Sequence, residues 1–181
     1  MPIYIAMLRG INVSGHNPIK MERLRAALAA LGLGNVQTYV QSGNVVFKAA
    51  KTSMADLAER IASKILEDFG CSVPVLVRLP AELEAILQRN PFAKSTTGNK
   101  AGWYVTFLSQ PAPKAAEELL KPLAAASEQL IVAGWEIYLD CPNGYGNTKL
   151  SNAAIEKKLA LQATTRNWRT VNTLLEIAQS M

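Results

Sequence analysis

Val36-Gln37-Thr38-Tyr39-Val40-Gln41-Ser42-Gly43-Asn44-Val45-Val46-Phe47 is the stretch on which the fold turns. Two runs rich in β-branched residues flank a short polar link containing glycine, which is a hairpin signal. Helical patterns stand on both sides. Upstream, residues 21–31 put Met21, Leu24, Leu28 and Leu31 on one face, and Gly32 and Gly34 stop the helix. Downstream, Ser53 is placed to cap a helix running to Phe69, with Leu57, Ile61, Ile65 and Phe69 as its inner stripe. The outermost segments, residues 2–8 and 73–79, are apolar and read as strands, the second at an edge because of Pro74. The order is β-α-β-β-α-β, the split βαβ or ferredoxin-like pattern.

The same pattern returns further along the chain. A short helix over 81–89 leads to a stretch over 94–100 rich in Ser, Thr, Gly and Asn, which reads as a flexible link. Residues 103–108 then read as a strand and 113–125 as a helix. A hairpin over 130–132 and 136–139 turns at Ala133-Gly134, and a helix follows over 150–159. This second series lacks a closing strand. Asn167 is placed to cap a last helix over 168–179. The expected class is therefore α+β, with two related ferredoxin-like (βαββ-type) subdomains. Residues 1–80 form the first, 81–101 a helix and linker, and 102–181 the second with its C-terminal helices.

Composition narrows the chemistry. No apolar run approaches the roughly 20 residues of a membrane-spanning helix, and the N-terminus reads as a strand rather than a secretory signal. A cytoplasmic protein with no membrane partner is expected. Cys71 and Cys141 lack metal-ligand spacing, and reduced, buried thiols are the expectation for both. His16 is the sole histidine, which removes most metal and triad chemistry, and no metal site is expected. A net charge of +5 favours anionic partners. Lys20, Arg23 and Arg25 are the nearest thing to a basic cluster and read as a solvated helix face.

Four segments are more polar or glycine-rich than a core requires: residues 9–17, 41–44, 143–149 and 164–168. In a split βαβ unit the first two strands run parallel. The loop after the first and the hairpin after the second therefore share one sheet end, bringing Arg9, Asn12 and Ser14 near Gln41, Ser42 and Asn44. Such a group beside a helix N-terminus suits an anion or carboxylate, while the same residues also serve turn geometry. Residues 144–149 suggest a phosphate loop but lack the required Gly-Lys-Ser/Thr order, and Ser151 or Asn152 reads as an ordinary cap. The third and fourth segments can share a site only if residues 160–166 fold back. Trp168 can stack on a planar ligand or plug the core. The strand order also fits an RNA-recognition module, but residues 44–48 carry one aromatic and no Gly-aromatic series, so that match fails. No nucleophile–base pair stands out. Glu156 and Lys149 are the candidates for acid-base work, and Cys141 beside Asp140 reads as an inert thiol.

Leu8-Arg9-Gly10-Ile11-Asn12-Val13, residues 41–47, Thr148-Lys149-Leu150-Ser151-Asn152 and Ala163-Thr164-Thr165-Arg166-Asn167-Trp168 together resemble the signature of domain-of-unknown-function family 1697. Ser14 stands where that family is expected to favour glycine, which bears only on a close backbone approach there. The resemblance implies two related α+β subdomains and supplies no activity and no cofactor.

The functional expectation is an uncharacterised protein that binds a small anionic, phosphate- or nucleotide-containing ligand between its halves. Arg9, Asn12, Ser42, Asn44, Lys149, Arg166 and Asn167 would supply charge and hydrogen bonds, and Tyr145 or Trp168 a planar contact. The alternatives are an enzyme acting on such a ligand and a protein binding nucleic-acid backbone.

Overall fold

The computed structural model describes residues 1–94 and 99–181. The flexible link read over 94–100 falls largely on residues 95–98, which lie outside the described residues. By internal contacts the chain divides into two compact units, Met1–Glu84 with Thr173–Met181, and Ala85–Asn172.

In the first unit the elements are β1 (Ile3–Leu8), α1 (Met21–Ala30), β2 (Gly34–Tyr39), β3 (Asn44–Lys48), α2 (Met54–Phe69) and β4 (Val75–Arg78). The strands form an antiparallel sheet in the order β2-β3-β1-β4. Alternate residues of β1, Tyr4, Ala6 and Leu8, face a core shared with Leu24 and Leu28 of α1 and Leu57, Ile61 and Ile65 of α2. The helix limits have local causes. Ser53 Oγ accepts the Asp56 amide at 3.0 Å, capping α2 at its start. At the end of α1, Gly32 N–H donates to Ala29 O and Leu33 N–H to Leu28 O, the pairing of a Schellman stop, with Gly32 at φ +82°.

The second unit has β5 (Trp103–Leu108), α4 (Ala116–Leu120), β6 (Gln129–Ala133), β7 (Glu136–Asp140), α5 (Asn152–Leu159) and β8 (Ala163–Asn167). Helix α3 (Pro80–Gln88) precedes them and α6 (Trp168–Gln179) follows. The second sheet is also antiparallel, in the order β6-β7-β5-β8. The fold is therefore mixed α+β with two four-stranded antiparallel sheets of matching strand order. Leu108, Leu120, Ile137, Leu139, Leu150 and Ile155 form a hydrophobic core in this unit.

Two sequence expectations change here. Residues 163–167 form a closing strand, so the second series is complete. Thr164 and Thr165 are β-branched, and a strand paired only with β5 does not need apolar residues on every position. The helix expected over 113–125 shrinks to α4 and a 3-10 turn over Lys121–Leu123. Pro122 has no N–H for a helical bond and its ring clashes with the preceding turn.

Candidate functional site

The two loops at one end of the first sheet do meet. Leu8 N–H donates to Gly43 O at 2.8 Å. Asn12 ties the loops further: Nδ2 donates to Ile19 O and to Gln41 O, and Oδ1 accepts the Ile19 amide, each at 2.8 Å. Asn44 is fully buried and donates from Nδ2 to Tyr39 O and Ser42 Oγ. Arg9 is half-buried, with its amide on Pro74 O. The loops carry an unusual density of left-handed backbone: Asn12, Ser14, Asn17 and Val40 all have φ between +46° and +53°. Asn tolerates that region. Val40, β-branched and 51% exposed, does so only where neighbours hold it.

Beside these loops opens a groove of about 530 Å³, lined by Asn12, Pro18, Ile19, Lys20, Met21, Glu22, Arg23 and Gln41. It sits at the start of α1. Lys20 occupies the N-cap position in extended conformation and provides no side-chain cap. The first-turn amides therefore lack the partner that Ser53, Ser151 and Asn167 supply to α2, α5 and α6. Lys20 is exposed, and the Arg23 guanidinium lies 5.1 Å over the Phe69 ring. Arg25 is turned elsewhere, donating to Thr38 Oγ1 at 2.7 Å. Glu22 also lines the groove, so its side chains carry two positive charges and one negative.

The remaining sequence candidates belong to the second unit. Residues 160–166 do fold back, with Ala160 in left-handed conformation as the C-cap of α5. Thr165 Oγ1 donates to Asn152 Oδ1 at 2.7 Å, lies 2.7 Å from Thr106 Oγ1, and accepts from the Tyr145 hydroxyl at 3.1 Å. The third and fourth polar segments thus meet through Tyr145, Asn152 and Thr165. Arg166 donates to Thr164 Oγ1 and Thr165 O, and burial pushes its pKa down to about 10. Asn167 Oδ1 accepts the Thr170 amide and caps α6. Trp168 packs edge-on against Trp103, ring centres 5.7 Å apart. Lys149 is exposed, and Glu156 Oε1 accepts the Ala163 amide at 3.0 Å, closing the turn into β8.

Of the nine residues named from sequence, Asn12 lines the groove and Arg9, Ser42 and Asn44 belong to its flanking loops. Lys20 and Arg23 were expected on a solvated helix face and Met21 on the inner face of the same helix. The signal was present at position 20, where a lysine stands in place of a capping Ser, Thr, Asn or Asp. Both cysteines are free. Cys141 is fully buried, and burial first, then the Glu128 carboxylate, push its thiol up to about 11 against an opposing hydrogen bond from Thr148. In the native protein at pH 8, a disulfide reagent such as DTNB should therefore modify Cys71 and spare Cys141 until denaturant is added. Rapid modification of Cys141 in the folded state would refute that assignment. Among the described residues, no cluster of three or more His, Cys, Asp or Glu could hold a metal ion, and no helix is long and apolar enough to cross a membrane.

The fold and groove define an α+β protein of two four-stranded sheets with an open groove of mixed lining in its first unit. Over residues 1–138 the chain matches the family described as protein of unknown function (DUF1697), and it belongs to that family. The motifs at 148–152 and 163–168 lie beyond the matched stretch. The structure of the conserved bacterial protein SP0830 from Streptococcus pneumoniae superposes with a TM-score of 0.74 at 23% identity. That likeness covers 97% of this chain and 98% of SP0830 and concerns the fold. No curated protein matches.

Proposed function

We propose that the chain binds a small phosphate-bearing ligand, free or as part of a nucleotide, in the groove at the start of α1. The observation carrying this reading is the coincidence of an open cleft, an uncapped helix start and two cationic side chains. Free amides and the positive end of the helix dipole attract an anion, and Lys20 and Arg23 add charge from the rim. The lining contains no aromatic ring, so the phosphate rather than a base provides the affinity. Asn12 serves by holding the wall, since both its amide hydrogens are spent on backbone carbonyls. Each unit is best regarded as a ferredoxin-like subdomain, a reading supported by the strand orders β2-β3-β1-β4 and β6-β7-β5-β8.

The test is a thermal-shift screen against inorganic phosphate, sugar phosphates, nucleotides and short oligonucleotides at low and moderate salt. A ligand at about 100 times its dissociation constant stabilises the fold by about 2.7 kcal/mol. The expected result is a raised melting temperature with phosphate-bearing compounds that is lost in a Lys20→Glu, Arg23→Glu variant compared with its own unliganded state. A blank panel, or a shift that survives the double substitution, overturns the reading. A response confined to oligonucleotides that falls steeply with salt would instead assign the site to nucleic-acid backbone.

A further inference from the structure

The four sheet edges are not equally protected. Strand β2 carries a register irregularity between Gly34 and Gln37, with Asn35 at φ +46°. Strand β4 has only four residues, all buried, and follows Pro74. Strand β8 carries Arg166, and the Glu156 carboxylate takes its first amide. Bulges, short length, proline and charge are the usual means of blunting an edge. Strand β6, Gln129-Leu130-Ile131-Val132-Ala133, has none of them.

Its pairing shows which groups are left over. Ala133 opposes Glu136 across the two-residue turn Gly134-Trp135, which makes that pair a hydrogen-bonded one. Ile131–Tyr138 and Gln129–Asp140 are bonded in the same phase, so the amides and carbonyls of Leu130 and Val132 point away from β7. Among the described residues no backbone bond from another segment reaches them. Alongside lies an open groove of about 380 Å³ lined by Lys121, Ala124, Ala125, Glu128, Gln129, Leu130 and Ile131. Two apolar side chains here are exposed, Ile131 by 36% and Trp135, at the turn, by 45%, while Leu130 is buried.

We propose that β6 is the docking edge for a second copy of this chain, paired antiparallel about a two-fold axis at Ile131. That register sets Leu130 against Val132 of the second copy and satisfies all four outward-facing groups of each strand. Ile131 then faces its own symmetry mate in a close, non-hydrogen-bonded pair, and Gln129 faces Ala133. Because β6 has no charged residue, self-pairing opposes no like charges within the strand. The two charged residues of the groove already have partners within the chain, Lys121 at 3.3 Å from Glu117 and Glu128 accepting from the Ala125 amide and the Thr148 hydroxyl. The product is a continuous eight-stranded sheet with an isologous interface.

Sedimentation of the full chain across about three decades of concentration reads the equilibrium directly, and the expected result is a reversible monomer–dimer transition. Ile131→Lys places two ammonium groups opposite each other and should weaken the dimer by roughly tenfold or more. Ile131→Glu should do the same, and an equimolar mixture of the two variants should recover a heterodimer. Circular dichroism and melting of each variant establish that the monomer remains folded. A chain that stays monomeric into the millimolar range overturns the proposal. So does a dimer indifferent to Ile131→Lys, or variants whose mixture fails to associate.

Discussion

Gly43→Ala is expected to destabilise the first unit by about 2–5 kcal/mol, combining the cost of a left-handed non-glycine residue with that of overpacking a filled core. Gly43 has φ +82°, and a β-carbon built there would lie 2.7 Å from Leu8 Cβ and 3.0 Å from Ile11 Cδ1 and Cγ1. Both neighbours are completely buried. Leu8 Cβ is fixed by the backbone of β1, so it cannot swing aside as the end of a long side chain could. Gly10 and Gly15 also have positive φ but have nothing within 4 Å of the same position. Their alanine variants isolate the conformational cost alone, about 1–2 kcal/mol. Urea denaturation of the three variants measures the difference. If Gly43→Ala proved no worse than Gly10→Ala, the close approach of hairpin and strand would be wrong.

Asn12→Ala is expected to cost about 2–4 kcal/mol, through lost hydrogen bonds, a stranded amide and strain at φ +53°. The side chain makes three bonds of 2.8 Å, two of them to the backbone of Ile19, itself only 4% exposed. Without them the Ile19 amide and carbonyl lose their partner, and the loop loses its tie to Gln41. A generic loss of stability is not the only expected sign. Hydrogen exchange at the Ile19 amide should accelerate more than at the core amides of β1. An Ile19 amide that remains protected in the variant would show that the loop is held by something else.

What the sequence revealed and what it hid differ for physical reasons. Ser53, Gly32 and Asn167 act on backbone groups within a few residues, so their capping roles follow from local order. The hairpin at 40–43 and the meeting of its loop with residues 9–17 followed from strand direction, which the element order determines. Strand β8 escaped because Thr164-Thr165-Arg166-Asn167 carries no apolar alternation, its pairing with β5 being a property of the closed sheet. The helix expected over 113–125 stops early at Pro122, a local signal that a single residue type carries. The bond from Asn12 to Gln41 spans 29 residues, and nothing in local spacing encodes it. The groove was hidden for the opposite reason. It depends on a cap that is missing at Lys20, and a lysine before a helix looks like an ordinary solvated residue.

The most direct measurement of the central claim is a titration of the isotopically labelled protein with inorganic phosphate, following each backbone amide by NMR. Binding at the start of α1 predicts saturable shifts concentrated on Met21, Glu22 and Arg23, with smaller ones at Gln41, and their loss in Lys20→Glu. Shifts that never saturate, or that centre on Lys149 and Asn152 while the first turn of α1 stays silent, would contradict it.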